Sequence, residues 1–269
     1  MAKLAPVQCS YLGFFASTGI QEIDYWLGDW GLFPKNYAGW HTENLWRLER
    51  PFLAWQPVDP LPEATIEVTT APSGAIRFGS FNHNRKLSDQ TLSLWAQILN
   101  SIPDSTLVLK ANDSWDHATQ LLLRRRMLRV GLDPERITWI PLTTGHTEHL
   151  KQYQHIDIAL DPLPNGGCTT TCEALWMGAP VITASGNTYV SRMSTAVLEG
   201  CGLQEWVAAD ECSYVELAIE QAANLHKLRS SRDSWRHKIK TSPLGDASDL
   251  INHLERAFSA MVQSKVSNS

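Results

Sequence analysis

From residue 76 onward, apolar runs alternate with stretches in which apolar residues recur every three or four positions. The runs at 76–81, 105–109, 137–140, 156–160 and 180–183 predict strands. The amphipathic spacing between them predicts helices over 88–99, 117–130, around 146–153, after Thr170 and around 190–199. Three further helical patterns end near Met261, and the polar tail over 264–269 is expected to fray. Strands and helices alternating at this spacing predict a parallel sheet covered on both faces, with ligands taken at the carboxyl ends of its strands.

The first 56 residues read differently. Short apolar runs such as 7–14 and 44–48 are separated by Gly, Pro and Asn turns, with too few strands to close a core, so this segment is expected to lean on the rest of the chain. It reads as part of a domain whose earlier portion is missing. The stretch 57–74 carries Pro57, Pro60, Pro62 and Pro72 and predicts a linker. The expected organisation is therefore a partial N-terminal lobe over 1–56, a linker over 57–74, an α/β lobe over 75–245, and a C-terminal helix and tail over 246–269.

The length of 269 residues is enough to bury a sizeable core. With 23 Lys+Arg against 28 Asp+Glu, the net charge of -5 argues against a general nucleic-acid partner. Five cysteines without CxxC spacing fit reduced thiols better than a disulfide framework. The start is not that of a signal peptide, and no apolar run approaches the roughly 20 residues that cross a bilayer. These features predict a cytoplasmic protein with no membrane partner.

The most informative stretch runs Asp161-Pro162-Leu163-Pro164-Asn165-Gly166-Gly167-Cys168-Thr169-Thr170-Thr171-Cys172-Glu173 and on to Pro180. It leaves an apolar strand and enters a helix. Glycines there allow close backbone approach, and threonines at a helix N-terminus offer N–H and O–H donors to an anion. Glu173, one turn further in, could take the two hydroxyls of a ribose. The same residues also read as a Gly-Gly turn, with Thr169 or Thr170 as N-cap and Glu173 in a capping box. A second strand end, Phe78-Gly79-Ser80-Phe81-Asn82-His83-Asn84-Arg85-Lys86, brings Lys86 and Arg85 to the same sheet edge, where a cation would neutralise a diphosphate, or would stand on a solvated loop.

His146 and His149 lie one helical turn apart, with His155 nearby. No HExxH or paired CxxC accompanies them, which argues against a metal site. His149 could lay its ring against a nucleobase. Motifs for dinucleotide-binding, P-loop and nucleophile-elbow sites (GxGxxG, GxxxxGK[ST] and GxSxG) are not found.

The series Asn-Gly-Gly-x-Thr-Thr-Thr-Cys-Glu-Ala-Leu-Trp-Met-Gly-x-Pro resembles the nucleotide-sugar signature of the O-linked N-acetylglucosamine transferases and the Spindly-type protein O-fucosyltransferases. Phe78-Gly79-Ser80-Phe81-Asn82 with Lys86 resembles the family's lysine loop, Trp95-Ala96-Gln97-Ile98-Leu99 the helix after it, and Ser242-Pro243-Leu244 an element near its end. Ala5-Pro6-Val7-Gln8, Leu12-Gly13, Thr18-Gly19 and Asp24-Tyr25 resemble the last part of its N-terminal catalytic lobe.

The resemblance implies a GT-B type α/β fold: a doubly wound, parallel-sheet C-terminal lobe plus, here, a partial N-terminal lobe. By matching position, Lys86 is the catalytic residue and holds the donor diphosphate, in a loop with Asn82 and His83. Thr169 and Thr170 bind phosphate oxygens beside Cys168, which stands where animal transferases have His. Glu173 takes the ribose, His149 stacks on the base, and Thr144 and His146 lie near the base edge with Gln152. No metal or cofactor is implied, because a lysine and a helix dipole stabilise the leaving group.

The implied activity is inverting transfer of a sugar from a nucleotide sugar to Ser or Thr hydroxyls of a protein acceptor, with UDP-N-acetylglucosamine favoured over GDP-fucose. Departures from the family pattern shape the expectation. The tetratricopeptide repeats and the earlier half-lobe with the proposed catalytic histidine do not precede this segment, and Gly13-Phe14-Phe15-Ala16-Ser17-Thr18-Gly19 replaces the usual acceptor-side loop. The competing expectation is a non-catalytic nucleotide-sugar-binding module, or a fragment that works beside a separate chain carrying the repeats and the rest of the lobe.

Overall fold

The computed structural model describes residues 3–58, 74–110 and 116–267. Most of the expected linker, 59–73, lies outside the described residues.

Two parallel sheets organise the chain. The first has three strands in the order β1 (Cys9–Ser10), β2 (Tyr25–Asp29), β3 (Asn44–Leu48). The second is built from β4 (Arg77–Ser80), β5 (Thr106–Leu109), β6 (Ile137–Trp139), β7 (Ile158–Leu160), β8 (Val181–Ala184) and β9 (Val207–Ala208). Its strand order is β6-β5-β4-β7-β8-β9, and every pairing is parallel. In β7 and β8 every residue is buried, the unbroken apolar pattern of strands covered on both faces.

The helices between strands start where the sequence supplies a cap. Ser88 accepts from Thr91 N at 3.0 Å and opens α1 (Asp89–Ser101), which buries Leu92, Trp95, Ile98 and Leu99 at helical spacing. Asp116 accepts from Thr119 N at 3.0 Å and opens α2 (His117–Arg129). The remaining helices are α3 (His146–Lys151), α4 (Thr169–Trp176), α5 (Met193–Gly200), α6 (Glu211–Ala222), α7 (Leu225–Ser230), α8 (Arg232–Thr241) and α9 (Ala247–Ser267).

Where pattern reading and structure differ, the causes are local. The apolar pattern does not mark β2, because its Tyr-Trp-Leu-Gly-Asp carries a glycine and an acid in an otherwise apolar run. The three expected terminal helices are four, since Ser231 interrupts what reads as one amphipathic stretch. The expected frayed tail is helical to Ser267, with Lys265 bonded to Asp24 Oδ1 at 2.7 Å.

The small sheet does lean on its neighbours. Trp26, Phe33 and Phe52 enter the same apolar core as the large sheet, where Trp26 stacks on Tyr189 with centroids 4.8 Å apart. On its other side Leu27 and Leu48 pack with Ala257 and Met261 of α9. Polar ties reinforce the contact. Buried Arg50 donates to the carbonyl of Asp246 at 2.9 Å and to Asp249 Oδ2 at 3.0 Å. Arg192, ahead of α5, donates to the Gly31 carbonyl at 2.6 Å and to Ser185 Oγ at 2.6 Å.

At the amino end of the large sheet, Asp157 is buried between two arginines. It accepts from Arg77 Nη2 at 3.0 Å and from Arg229 Nε at 2.9 Å. Burial works to raise this carboxyl, but the hydrogen bonds from Arg229 and Arg77 hold it below the usual carboxylate range. Arg229→Ala is expected to cost about 2 kcal/mol of stability, because it leaves a buried carboxylate short of a charged donor. Urea unfolding measures this, and a loss under about 0.5 kcal/mol would contradict it.

At the end of β2, Asp29 accepts from Leu32 N and from Phe52 N, each at 2.8 Å. Burial pushes its carboxyl up to about 6. The folded chain therefore holds this proton more tightly than the unfolded chain, whose carboxyl titrates near about 3.9. The corresponding stability is complete below about pH 4 and is lost as pH rises toward 6. Asp29→Asn is expected to flatten the stability profile between pH 4 and 6, read as urea midpoints across that range; a slope identical to the parent would contradict the assignment.

Candidate functional site

After β6 the chain returns to the opposite side of β4 to lay down β7, so the direction of winding reverses between β4 and β7. Loops leaving the two strands diverge there and open a crevice at their carboxyl ends, the place where open α/β sheets take ligands. Both the glycine–threonine stretch and the lysine loop end at this point.

On the β4 side, residues 81–88 turn back through a short 3-10 turn over Asn84–Lys86, capped by His83, whose Nδ1 accepts from Arg85 N at 3.2 Å. That turn swings Lys86 across the crevice. Its Nζ donates to Asn82 Oδ1 at 3.2 Å and to the carbonyl of Gly166, eighty residues away, at 2.6 Å. Burial pushes the ammonium below the ordinary lysine range, and the charge of Asp161 acts the other way.

On the β7 side, Asp161 is buried, and its Oδ1 accepts from Gly167 N at 3.0 Å. Burial pushes the Asp161 carboxyl up, opposed by hydrogen bonds from Ser194 and Thr183 and by the Lys86 charge. Glycine is required at both 166 and 167. A Cβ at Gly166 would stand 2.7 Å from Asp161 Oδ2, and one at Gly167 would stand 2.5 Å from the hydroxyl oxygens of Thr170 and Thr171.

The loop then enters α4. Cys168 is the N-cap and makes no side-chain capping bond, so the structure departs from the capping-box alternative, in which Thr169 or Thr170 caps and Glu173 reaches back. Burial pushes the Cys168 thiol up to about 12, which makes it an unreactive packing group rather than a nucleophile. Thr169 stands at the first turn. Thr170 Oγ1 donates to Asn82 Oδ1 at 3.3 Å, joining the helix N-terminus to the lysine loop. Lys86, Thr170 and the positive end of α4 therefore converge.

One turn along α4, Glu173 is 5% exposed and carries bonds that the sequence does not suggest. Its Oε2 accepts from Tyr153 OH at 3.2 Å and meets His149 Nε2 at 3.2 Å. The other imidazole nitrogen, Nδ1, is 2.7 Å from Nζ of Lys110, a buried lysine at the end of β5. His146 Nδ1 lies 3.9 Å from Glu173 Oε1. Phe81, Tyr153 and His149 form an aromatic corner, with centroids 4.4 Å apart for Phe81 and Tyr153 and 5.8 Å apart for His149 and Tyr153.

Of the residues read from sequence, the structure gathers Asn82, Lys86 and Thr170 into one group, and His146, His149 and Glu173 into a second. The Tyr153 hydroxyl spans them, lying 3.3 Å from the Thr170 carbonyl oxygen. His83 folds back on its own loop, and Thr144 is exposed ahead of α3. Gln152 turns back onto the Glu148 carbonyl at 3.1 Å. Sequence reading missed Lys110, Tyr153 and Asp161 as site residues. A lysine closing the buried run Leu107-Val108-Leu109 was the available signal for the first.

The acceptor-side loop is also anchored. Buried Glu43 accepts from Ser17 Oγ, Thr18 N and Thr18 Oγ1, each at 2.6 Å. Burial acts to raise its carboxyl, but the bonds from Ser17 and Thr18 outweigh that and hold it at about 2. The loop keeps Phe14 and Phe15 exposed, with Trp40 beside Gly19.

Comparison with known proteins agrees with this geometry. A model of glycosyl transferase family 41 matches residues 60–254. A Petunia hybrida protein described as a probable UDP-N-acetylglucosamine–peptide N-acetylglucosaminyltransferase SPINDLY is 35% identical over 260 residues, covering 96% of this chain and 28% of the relative. An Arabidopsis thaliana protein with the same description but named SEC is 28% identical over 266 residues, covering 96% of this chain and 27% of the relative. This chain thus spans about 28% of the length of the first of these.

A mutant of the Thermobaculum terrenum O-GlcNAc transferase superimposes with a TM-score of 0.83 at 34% identity, over 98% of this chain and 50% of that one. Sucrose-phosphate synthase from Thermosynechococcus elongatus shares the fold at a TM-score of 0.54 and 14% identity, over 90% of this chain and 59% of that one. These likenesses bear out the expected GT-B type α/β architecture. With the family model covering most of its length and its lysine loop and Asn-Gly-Gly-x-Thr-Thr-Thr-Cys-Glu stretch meeting at one crevice, the chain belongs to glycosyl transferase family 41.

Proposed function

We propose that the crevice binds the nucleoside diphosphate of a sugar donor and that the protein transfers the sugar to Ser or Thr hydroxyls of a protein. UDP-N-acetylglucosamine is favoured over GDP-fucose as the donor, because the relatives at 28–35% identity are named for it. The observation that carries the reading is the convergence of Lys86, Thr170 and the N-terminus of α4 within one hydrogen-bonded group. A diphosphate placed there exchanges the Lys86 bond to the Gly166 carbonyl for a bond to a phosphate oxygen, and the helix end adds donors and a favourable dipole.

In this reading the acceptor oxygen bonds to the anomeric carbon from the face opposite the diphosphate, with release of its proton. The carbon–oxygen bond to the β-phosphate breaks, and its electron pair leaves with the nucleotide. Charge gathers on that phosphate as the bond breaks. Lys86 and the helix end are already aimed at it, and such preorganised donors are worth about 2.7–4 kcal/mol of barrier each. Glu173 takes the ribose hydroxyls and His149 lays its ring on the base, with Thr144 and His146 toward the base edge. The donor chemistry so described calls on no metal.

A second reading rests on the span of the chain, which is about 28% of the Petunia relative. It is a donor-binding module whose turnover needs a separate chain carrying repeats and the remaining N-terminal lobe.

Titration calorimetry with UDP and GDP, in metal-free buffer, tests the donor site. One nucleotide is expected to bind, and Lys86→Ala is expected to weaken it by ten- to about a hundredfold, the cost of a lost charged hydrogen bond. Equal affinity in the variant would overturn the phosphate assignment. Glu173→Gln is expected to abolish an approximately tenfold preference for that nucleotide over its 2′-deoxy form; a preserved preference would remove Glu173 from the ribose. Sugar transfer to a Ser/Thr peptide by the chain alone would exclude the module reading.

A further inference from the structure

We propose that Lys110 is a positioning residue: it fixes the tautomer of His149 and, through that ring, orients the Glu173 carboxylate toward the ribose. The inference rests on the reading of Glu173 as the ribose ligand, and the chain of hydrogen bonds beneath it can be argued from geometry alone.

Lys110 closes β5 and is 4% exposed, an unusual place for an ammonium. Its Nζ lies 2.7 Å from His149 Nδ1. One of the two must donate. Lysine is the more basic group by about four pH units at ordinary values, so the proton belongs to Lys110 and Nδ1 accepts. The imidazole then carries its own proton on Nε2, which is 3.2 Å from Glu173 Oε2 and donates to it. The opposite tautomer would turn the Nε2 lone pair onto a carboxylate oxygen, two acceptors face to face.

Tyr153 OH donates to the same oxygen at 3.2 Å. Two donors thus converge on Oε2 and lock the rotation of the carboxylate. Oε1 accepts no hydrogen bond among the described residues, and His146 Nδ1 stands 3.9 Å away. A carboxylate held by one oxygen presents the other to a pair of vicinal hydroxyls. Without Lys110 the imidazole is free to take either tautomer, and in one of them it turns a lone pair on Glu173 and loosens that arrangement. Lys110 therefore acts on the ribose side of the site, and Lys86 on the phosphate side.

The test uses the whole chain with 15N-labelled histidine. Two-bond 1H–15N spectra report which imidazole nitrogen carries hydrogen, and His149→Gln assigns the signal. The parent is expected to show a protonated Nε2 and an accepting Nδ1 at His149. Lys110→Met, close in volume and able to remain buried, is expected to give a mixture of tautomers and about tenfold weaker binding of the preferred nucleoside diphosphate. Inorganic pyrophosphate, which contacts only the Lys86 side, should bind both proteins equally. Lys110→Arg, which restores a cationic donor, should recover the tautomer and most of the affinity.

A protonated Nδ1 in the parent, or an unchanged tautomer in Lys110→Met, would overturn the proposal. So would equal losses of pyrophosphate and nucleotide binding, which mark general damage. If neither UDP nor GDP binds the parent, the donor reading falls, and the spectra alone still uphold or overturn the Lys110–His149–Glu173 chain.

Discussion

The Lys86 ammonium must be held between two loops eighty residues apart in the chain, and much of the architecture serves that constraint. Its bond to the Gly166 carbonyl forms only if β4 and β7 are neighbours, which requires the winding of the sheet to reverse between them. It also requires the β7 loop to pass close to Asp161 and the Thr170–Thr171 hydroxyls, which is why 166 and 167 are both glycine. Burial works against the charge on Lys86, and Asp161 works for it, so the cation is kept in place with its nearest partner a backbone carbonyl that an anion can replace.

Around that point the site divides by chemistry. The phosphate side is made of an ammonium, a hydroxyl and a helix end, groups that accommodate any diphosphate. The ribose and base side is made of a buried carboxylate with two donors on one oxygen and an aromatic corner of Phe81, Tyr153 and His149. Tyr153 touches both sides, so motion of either group is felt by the other. The first 55 residues add little to this crevice directly. Their contribution is the apolar contact through Trp26, Phe33 and Phe52, and a loop fixed by Glu43.

The alternation of strands and helices, the parallel sheet and the position of the crevice were all legible in the sequence, because a sheet covered on both faces writes unbroken apolar runs such as Val181–Ala184. The motif residues were legible for a related reason: Gly166, Gly167 and the threonines are constrained by backbone approach and helix entry, which are local. Lys110 and Tyr153 were not legible. Their roles depend on side chains meeting from β5 and from the turn after α3, and a lysine ending a strand carries no pattern of its own. The capping alternative for Thr169 and Thr170 was equally local and failed, since Cys168 takes the N-cap position without a bond.

The most direct test of the central claim is a crystal structure of the chain with its preferred nucleoside diphosphate bound. The account predicts the diphosphate within hydrogen-bond reach of Lys86 Nζ and the first turn of α4, with the ribose hydroxyls on Glu173 Oε1 and the base on the His149 ring. A nucleotide bound elsewhere, or one seated in the crevice with Lys86 still on the Gly166 carbonyl, would contradict it.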